Sequence, residues 1–315
     1  MTAALKQERS VGAVKKSRKW WRNTLSGYTF ILPFCIGFIC FTVIPIVASL
    51  VYSFCDYDVL SPPEFVGLKN YLMLFSDEQF WISLKATLMY VVFSVPMKLA
   101  FSLMIAMLLY KTNRLTAFYR AAYYLPSIVG GSVAVAIVWR QMFSGDGLLN
   151  SLINSVFGTQ LDKSWIGSTD TAIWTLIILS VWQFGSSMLN FLSGLKQIPV
   201  TLYESASIDG ATAFHRFFRI TLPMLTPTIF FNLIMQTIMG LTCFTQSLLI
   251  TRGEPMNTTL FSAVYIYRTS FKFYKMGYGC AQAWCLLLLI VVFTVILFKT
   301  QDKWVFYETD ARKGG

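Results

Sequence analysis

Charge is scarce in this 315-residue chain: Asp, Glu, Lys and Arg make up 13% of it, where a soluble domain carries about a quarter. With apolar residues at 55% and a mean hydropathy of +0.57, charge cannot cover a globule, so lipid must be part of the solvent. Histidine is confined to His215, and the cysteines (Cys35, Cys40, Cys55, Cys243, Cys280, Cys285) form no C-x-x-C, which leaves buried thiols rather than a metal site or a disulfide framework. No G-x-x-x-x-G-K-[ST] run occurs, so the chain does not cradle phosphates in the P-loop manner. No small-x-small cleavage site ends the first apolar run, and that run is too long for a secretory signal.

What is present is apolar length. A hydrocarbon core of about 30 Å needs roughly 20 apolar residues in a helix. Six segments meet this: Tyr28 to Phe54, Ala86 to Tyr110, Ala121 to Phe143, Thr171 to Leu195, Thr221 to Ile250 and Gly277 to Phe298. The fifth is too long for one straight span, and Pro223 and Pro227 place its first turns at the membrane surface.

The net charge of +11 comes largely from the cluster before the first segment: Lys6, Arg9, Lys15, Lys16, Arg18, Lys19 and Arg22. Basic residues collect on the cytoplasmic side, so this cluster, with Lys111, Arg114, Arg120, Lys196, Arg216, Arg219, Lys299, Lys303, Arg312 and Lys313, puts both termini in the cytoplasm. Arg252, Arg268, Lys272 and Lys275 run against that assignment and are outweighed. Val14 to Trp21 interleaves Lys and Arg with Val and Trp, a piece suited to lie on anionic membrane lipid; no nucleic-acid-binding signature accompanies the charge.

Between the fourth and fifth segments stands Glu204-Ser205-Ala206-Ser207-Ile208-Asp209-Gly210, followed at fixed distance by Ile220-Thr221-Leu222-Pro223. It reads as a short helix, a Gly turn and a second helix returning to the membrane. The pattern resembles the EAA loop of ABC importer permeases, with Ser205 the one departure in the opening triplet. The resemblance extends to Phe65-Val66-Gly67-Leu68-Lys69-Asn70-Tyr71, Tyr124-Leu125-Pro126, Gly147-Leu148-Leu149-Asn150, Gly194-Leu195-Lys196-Gln197-Ile198-Pro199 and Met276-Gly277-Tyr278, which look like carbohydrate importer permeases of the maltose and glycerol-phosphate type, first-subunit class. One departure is Glu254, in Thr251-Arg252-Gly253-Glu254-Pro255, where the family prefers a turn Gly.

The resemblance implies an all-α polytopic membrane protein with six transmembrane helices in the type I ABC importer permease fold. Residues 1–27 would form a cytoplasmic basic tail, 28–85 the first span and outer loop, 86–300 the core with its coupling loop at about 199–223, and 301–315 a cytoplasmic tail. It implies a second permease subunit, two copies of an ABC ATPase, an extracellular or periplasmic solute-binding protein and a carbohydrate substrate in a bacterial cytoplasmic membrane. No cofactor or metal is expected in this chain; ATP and Mg belong to the partner ATPase. ATPase coupling falls to Glu204, Ser205, Ala206, Asp209, Gly210 and Pro223. Glu204 has a second reading, because Thr201-Leu202-Tyr203-Glu204 is also a T-x-x-E capping box.

Sugars bind through aromatic faces and neutral hydrogen-bonding groups. Trp182, Gln183, Ser186 and Asn190 share one face of a continuous fourth helix, and Asn232, Gln236 and Gly240 share one face of the fifth. These form the expected substrate path, the alternative being hydrogen bonds between helices. Lys98 is the one charge deep in a segment, at a cost of about 2.5–3.5 kcal/mol on insertion scales; a structural anchor and a transport role both fit it. A secondary transporter or channel is the alternative class, but it calls for internal repeats or several midplane ionisable groups.

Overall fold

The computed structural model describes residues 18–110 and 116–306, the side chains of 18–27 excepted. Lys6, Arg9, Lys15, Lys16, Lys111, Arg114, Arg312 and Lys313, and the part of the interfacial segment before Arg18, lie outside the described residues. The chain divides at Val51 into two units.

The first unit is a helix. α1 (Arg18–Phe38) begins ahead of the apolar run and passes through a π-turn at Ile39–Val43 into α2 (Ile44–Ser53), whose last two residues belong to the second unit. The π-turn has a local cause. Pro45 lacks an N–H and its ring crowds the carbonyl four residues back, so the ladder widens and Ile44 donates to Ile39 O instead. Tyr28–Ser53 is long and apolar enough to cross a membrane, with none of its most apolar window buried in the chain itself.

The second unit opens with a two-stranded ribbon. β1 (Cys55–Asp56) pairs antiparallel with β2 (Glu64–Phe65), Cys55 opposite Phe65. Helix α3 (Lys69–Ser76) then carries Asn70, buried, whose amide donates to Ser53 O at 3.0 Å and Cys55 O at 2.8 Å, while Tyr71 meets Ser53 Oγ at 2.8 Å. Asn70 therefore closes carbonyls that the end of α2 and the short ribbon leave open.

Helix α4 (Glu78–Tyr110) is the central element, about 50 Å long at 1.5 Å per residue, and starts well before Ala86. Asp77 caps it: Oδ1 accepts from Gln79 N and Phe80 N, and Oδ2 accepts from the hydroxyls of Tyr265 at 2.6 Å and Tyr278 at 2.5 Å. Asp77→Ala is expected to lower unfolding free energy by about 2–3 kcal/mol, since charge-assisted bonds and a helix cap are lost together. A thermal melt of the lipid-embedded protein checks this; an unchanged midpoint rejects it.

The remaining segments are broken more often than hydropathy predicts. Ala121 to Phe143 is not one span: α5 (Thr116–Val129) meets α6 (Val133–Met142) at 94°. The chain turns at Gly130-Gly131, where Gly130 leaves room for the Gln183 side chain that a Cβ would meet at 2.4 Å, and Ser132 restarts the helix by accepting from Val135 N at 3.3 Å. A short α7 (Leu148–Phe157) follows, held by Asn150, which bonds Gly145 O, Lys163 O and the Trp165 indole.

Thr171 to Leu195 is split into α8 (Ala172–Trp182) and α9 (Gly185–Gln197), bent by 43°. Beyond α10 (Val200–Ile208) and α11 (Ala213–Arg216), a π-turn at Phe217–Thr221 precedes α12 (Leu222–Met224) and α13 (Thr226–Leu241). Here the Pro45 device recurs: Leu222 donates to Phe217 O just before Pro223, and the two halves of the segment meet at 63°. The fifth segment stops at Leu241 rather than Ile250, and Ser247–Thr251 is a separate π-turn. Last come α14 (Ser262–Tyr267) and α15 (Met276–Gln301). Three helical stretches of the described chain cross-qualify by length and apolarity, and the three bent pairs bring the number to six if each is one span.

The core lies where α4 packs against α8, α9 and α13. Leu176, Ile177, Leu179, Met188, Phe191 and Leu241 are fully or almost fully enclosed there. A stripe of polar residues on α4 (Ser83, Thr87, Ser94, Lys98, Ser102) is buried with them. The Glu254 position is not strained as its replacement of a turn Gly implied. The left-handed conformation of that turn is carried by Arg252 (φ 54°) and Gly253 (φ 76°), so Glu254 needs no positive φ.

Candidate functional site: a coupling loop and a polar cavity

The loop between α9 and α13 is built as a rigid projection. Helix α10 ends in a left-handed Gly210 at φ 73°, where Gly210 N donates to Ser207 O at 3.2 Å and Ala211 N to Ala206 O at 2.9 Å. This pair of bonds is the Schellman closure, and it satisfies carbonyls that a helix end otherwise leaves open. Nothing lies within 4 Å of a Cβ placed on Gly210, so conformation rather than crowding calls for glycine. Thr212 then caps α11 by accepting from His215 N. Two bonds strap the projection to its return: Tyr203 Oη with Thr221 Oγ1 at 2.9 Å, and Arg216 Nη1 to Ser207 Oγ at 3.1 Å.

Glu204, Ser205, Asp209 and Gly210 are exposed, Ala206 and Pro223 half-buried. The capping-box reading of Glu204 does not hold. Helix α10 starts at Val200 behind Pro199, with no side-chain cap, so Thr201 is the second helical residue rather than the N-cap and Glu204 stands past the third position that a capping box needs. Glu204 stands free at the surface. Around it the loop exposes apolar side chains that a purely solvated loop would not retain: Ile208 at 88% and Phe214 at 71%, with Val200 and Phe218 also exposed. Residue-type reasoning passed over these; apolar residues inside an otherwise polar loop were the signal.

The seven substrate-path residues do not share faces as continuous helices would require. The break after Trp182 rotates α9 away from α8, so the Trp182–Gln183–Ser186–Asn190 face does not exist. Trp182 lies against Trp139, ring centroids 5.9 Å apart, and Ser186 is held by its N–H on Ser127 Oγ at 3.1 Å. Asn190 donates to Asn232 Oδ1 at 3.0 Å, and Asn232 back to Thr228 O, an interhelical pair.

Gln183, Gln236 and Gly240 do come together. They line a cavity of about 70 Å³ with Tyr90, Ser94, Lys98, Ser180, Cys243 and Gln246. Gln183 sits at the α8–α9 break, where its amide donates to Gly130 O at 3.0 Å and accepts from Gln246 Nε2 at 3.2 Å. Tyr90 Oη and Cys243 Sγ both approach Gln246 Oε1, at 3.4 and 3.2 Å, and Gln236 donates to Ser187 Oγ at 3.1 Å. Gly240 packs closely on α4: a Cβ there would stand 2.9 Å from Val91 Cγ2, so the Val91 side chain would have to shift. Gln246, Tyr90 and Ser94 were not among the expected path residues. On α4, Tyr90, Ser94 and Lys98 recur at four-residue spacing, a stripe that periodicity could have found. Among the described residues no His, Cys, Asp and Glu group could hold a metal ion.

Bent spans around a polar cavity, joined to a protruding helix–turn–helix, fit a membrane permease. The family described as "Binding-protein-dependent transport system inner membrane component" matches residues 87–306, and the chain belongs to it. It is 51% identical over 300 residues to the probable ABC transporter permease protein YesP of Bacillus subtilis (strain 168), covering 94% of this chain and 97% of that one. With the trehalose/maltose transport system permease protein MalF of Thermococcus litoralis (strain ATCC 51850 / DSM 5473 / JCM 8560 / NS-C) it shares 32% identity, covering 90% and 96%. A bacterial alginate ABC transporter, solved in complex with its alginate pentasaccharide-bound periplasmic protein, contains a chain of the same fold at TM-score 0.79 and 20% identity, covering 92% of this chain and 98% of that one. The chain is therefore a multi-pass inner-membrane permease subunit of an ABC importer, a transport component rather than an enzyme.

Proposed function

We propose that this chain forms half of the pore of a saccharide importer, beside a second permease subunit. Two copies of an ABC ATPase would work beneath it, with ATP and Mg, and an extracellular or periplasmic solute-binding protein would load it. The observation that carries the reading is the strapped projection of α10 and α11. Its exposed Glu204, Ile208 and Phe214 supply one charge and two apolar anchors for a cleft in another protein, as subunit contacts usually combine them. A rigid helix so seated would transmit a rotation of the ATPase to α9 and α13, and α13 lines the cavity through Gln236, Met239 and Gly240. The saccharide substrate class rests on relatives named for trehalose/maltose, multiple-sugar and lactose transport. The neutral amides and hydroxyls at the cavity match the hydrogen-bonding chemistry of a sugar, whose ring the cavity itself is too small to hold.

The coupling assignments (Glu204, Ser205, Ala206, Asp209, Gly210, Pro223) require the loop to face the cytoplasm, with both termini on that side. In a cysteine-free background, Val66→Cys and Gln160→Cys are expected to react with a membrane-impermeant maleimide from outside, and Thr212→Cys only after permeabilisation. Reaction of position 212 from outside would place the loop on the wrong side and end the ATPase-coupling reading.

A further inference from the structure

Lys98 is buried, 7% exposed, in the middle of α4, and faces the cavity closed by Ser180 of α8, Gln183, α13 and Gln246. Carboxylate partners are wanting: the cavity lining holds no Asp or Glu, and the one ion pair of the described residues, Lys69 with Asp56, is elsewhere. The Gln183 and Gln246 amides are engaged with each other, with Gly130 O, Tyr90 and Cys243, and Gln236 donates to Ser187 Oγ, so the ammonium has only neutral groups around it, none of which balances its charge. A buried ammonium has three donors and no acceptor function, and it persists only if something anionic or wet meets it. The cavity is about 70 Å³, room for a small charged group with a water or two and far too little for a sugar ring. It is not sealed, because Met239 on its rim is 58% exposed.

From this geometry we infer that Lys98 receives an anionic oxygen group carried by the transported saccharide, whose ring stays outside the cavity in the wider pore. The inference rests on the saccharide-importer reading and narrows its substrate class to acidic sugars. One cation without an accompanying Arg matches a single negative charge, as on a uronic acid; a phosphate monoester, near two charges at neutral pH, would be left half compensated. Gln183 and Gln246, fixed edge to edge beside the ammonium, would orient the group.

The test is uptake by the intact importer of three labelled probes: a disaccharide containing a uronic acid, its neutral counterpart and a sugar phosphate. The wild type is expected to favour the uronate over both others. Lys98→Gln should lower the ratio of uronate to neutral uptake at least tenfold, and Lys98→Arg should hold that ratio within a few-fold of wild type. Lys98→Met should raise the melting midpoint of the lipid-embedded complex, because an uncompensated charge is removed. Preference for the phosphate keeps the anion site and replaces the carboxylate. Import of the neutral sugar alone, with the ratio unmoved by Lys98→Gln, overturns the inference and leaves the saccharide importer standing. A fall in melting midpoint with loss of the second permease would make Lys98 an anchor to a carboxylate of that subunit and overturn it as well. Import of none of the probes defeats both readings.

Discussion

Gly210→Pro is expected to abolish saccharide uptake while leaving the chain inserted in the membrane. Gly210 stands at φ 73°, and proline is fixed near −65°, so the left-handed turn cannot form. Proline also removes the N–H that closes onto Ser207 O, and the Schellman pair is lost with the turn. Helix α10 would then leave the direction that Tyr203–Thr221 and Arg216–Ser207 give it, and Glu204, Ile208 and Phe214 would no longer present one surface. The bilayer-facing helices do not pass through this turn, so insertion and expression should be near wild type. Glu204→Ala and Ile208→Asp attack the same surface without touching its backbone. Each is expected to lower uptake and binding-protein-stimulated ATP hydrolysis together, by roughly tenfold, the scale of about 1.4 kcal/mol at a contact. Transport and hydrolysis at wild-type rates in all three variants would remove the loop from the coupling path.

The Gly210 turn was legible because its chemistry is local: a positive φ selects one residue type, and the strapped helices on either side follow from short-range bonds. Helix α4 was legible for a different reason, its length of apolar sequence. Hydropathy could not show where helices break, since it counts side chains and the breaks are backbone events. Gly130-Gly131-Ser132 carries the turn in plain residue types, yet lies inside an apolar run that averages as one span. Gln183-Phe184-Gly185 offers no proline to mark its break. There the cause is tertiary, with Gln183 reaching across to Gly130 O and Ser127 Oγ meeting both Gln183 O and Ser186 N. Assuming a straight helix through that point produced the one-face error for Trp182, Ser186 and Asn190. Gln236 and Gly240 escaped it, because α13 runs unbroken from Thr226 to Leu241. The π-turns before Pro45 and Pro223 were half visible: the prolines were seen, and the widened ladder that accommodates them was not.

Gln236→Ala is expected to cost roughly fivefold to a hundredfold in uptake while binding-protein-stimulated ATP hydrolysis is largely retained. Gln236 is 7% exposed, one turn before Gly240 on the cavity side of α13, and a buried hydrogen-bonding group left without its partner costs about 1–3 kcal/mol. At 1.36 kcal/mol per tenfold that is the stated range. The separation of uptake from hydrolysis is the informative part, since a group that only packs helices would lower assembly, hydrolysis and uptake alike. Asn190→Ala supplies the contrast: its partner is Asn232, it lies outside the cavity lining, and it should reduce thermal stability without changing which sugars are carried. Gln183→Ala should show both behaviours, because the same amide closes Gly130 O at the helix break and faces Gln246 across the cavity. If Gln236→Ala tracks Asn190→Ala, losing stability and assembly in proportion to uptake, the amides are interhelical bonds and the sugar passes along another face of α4.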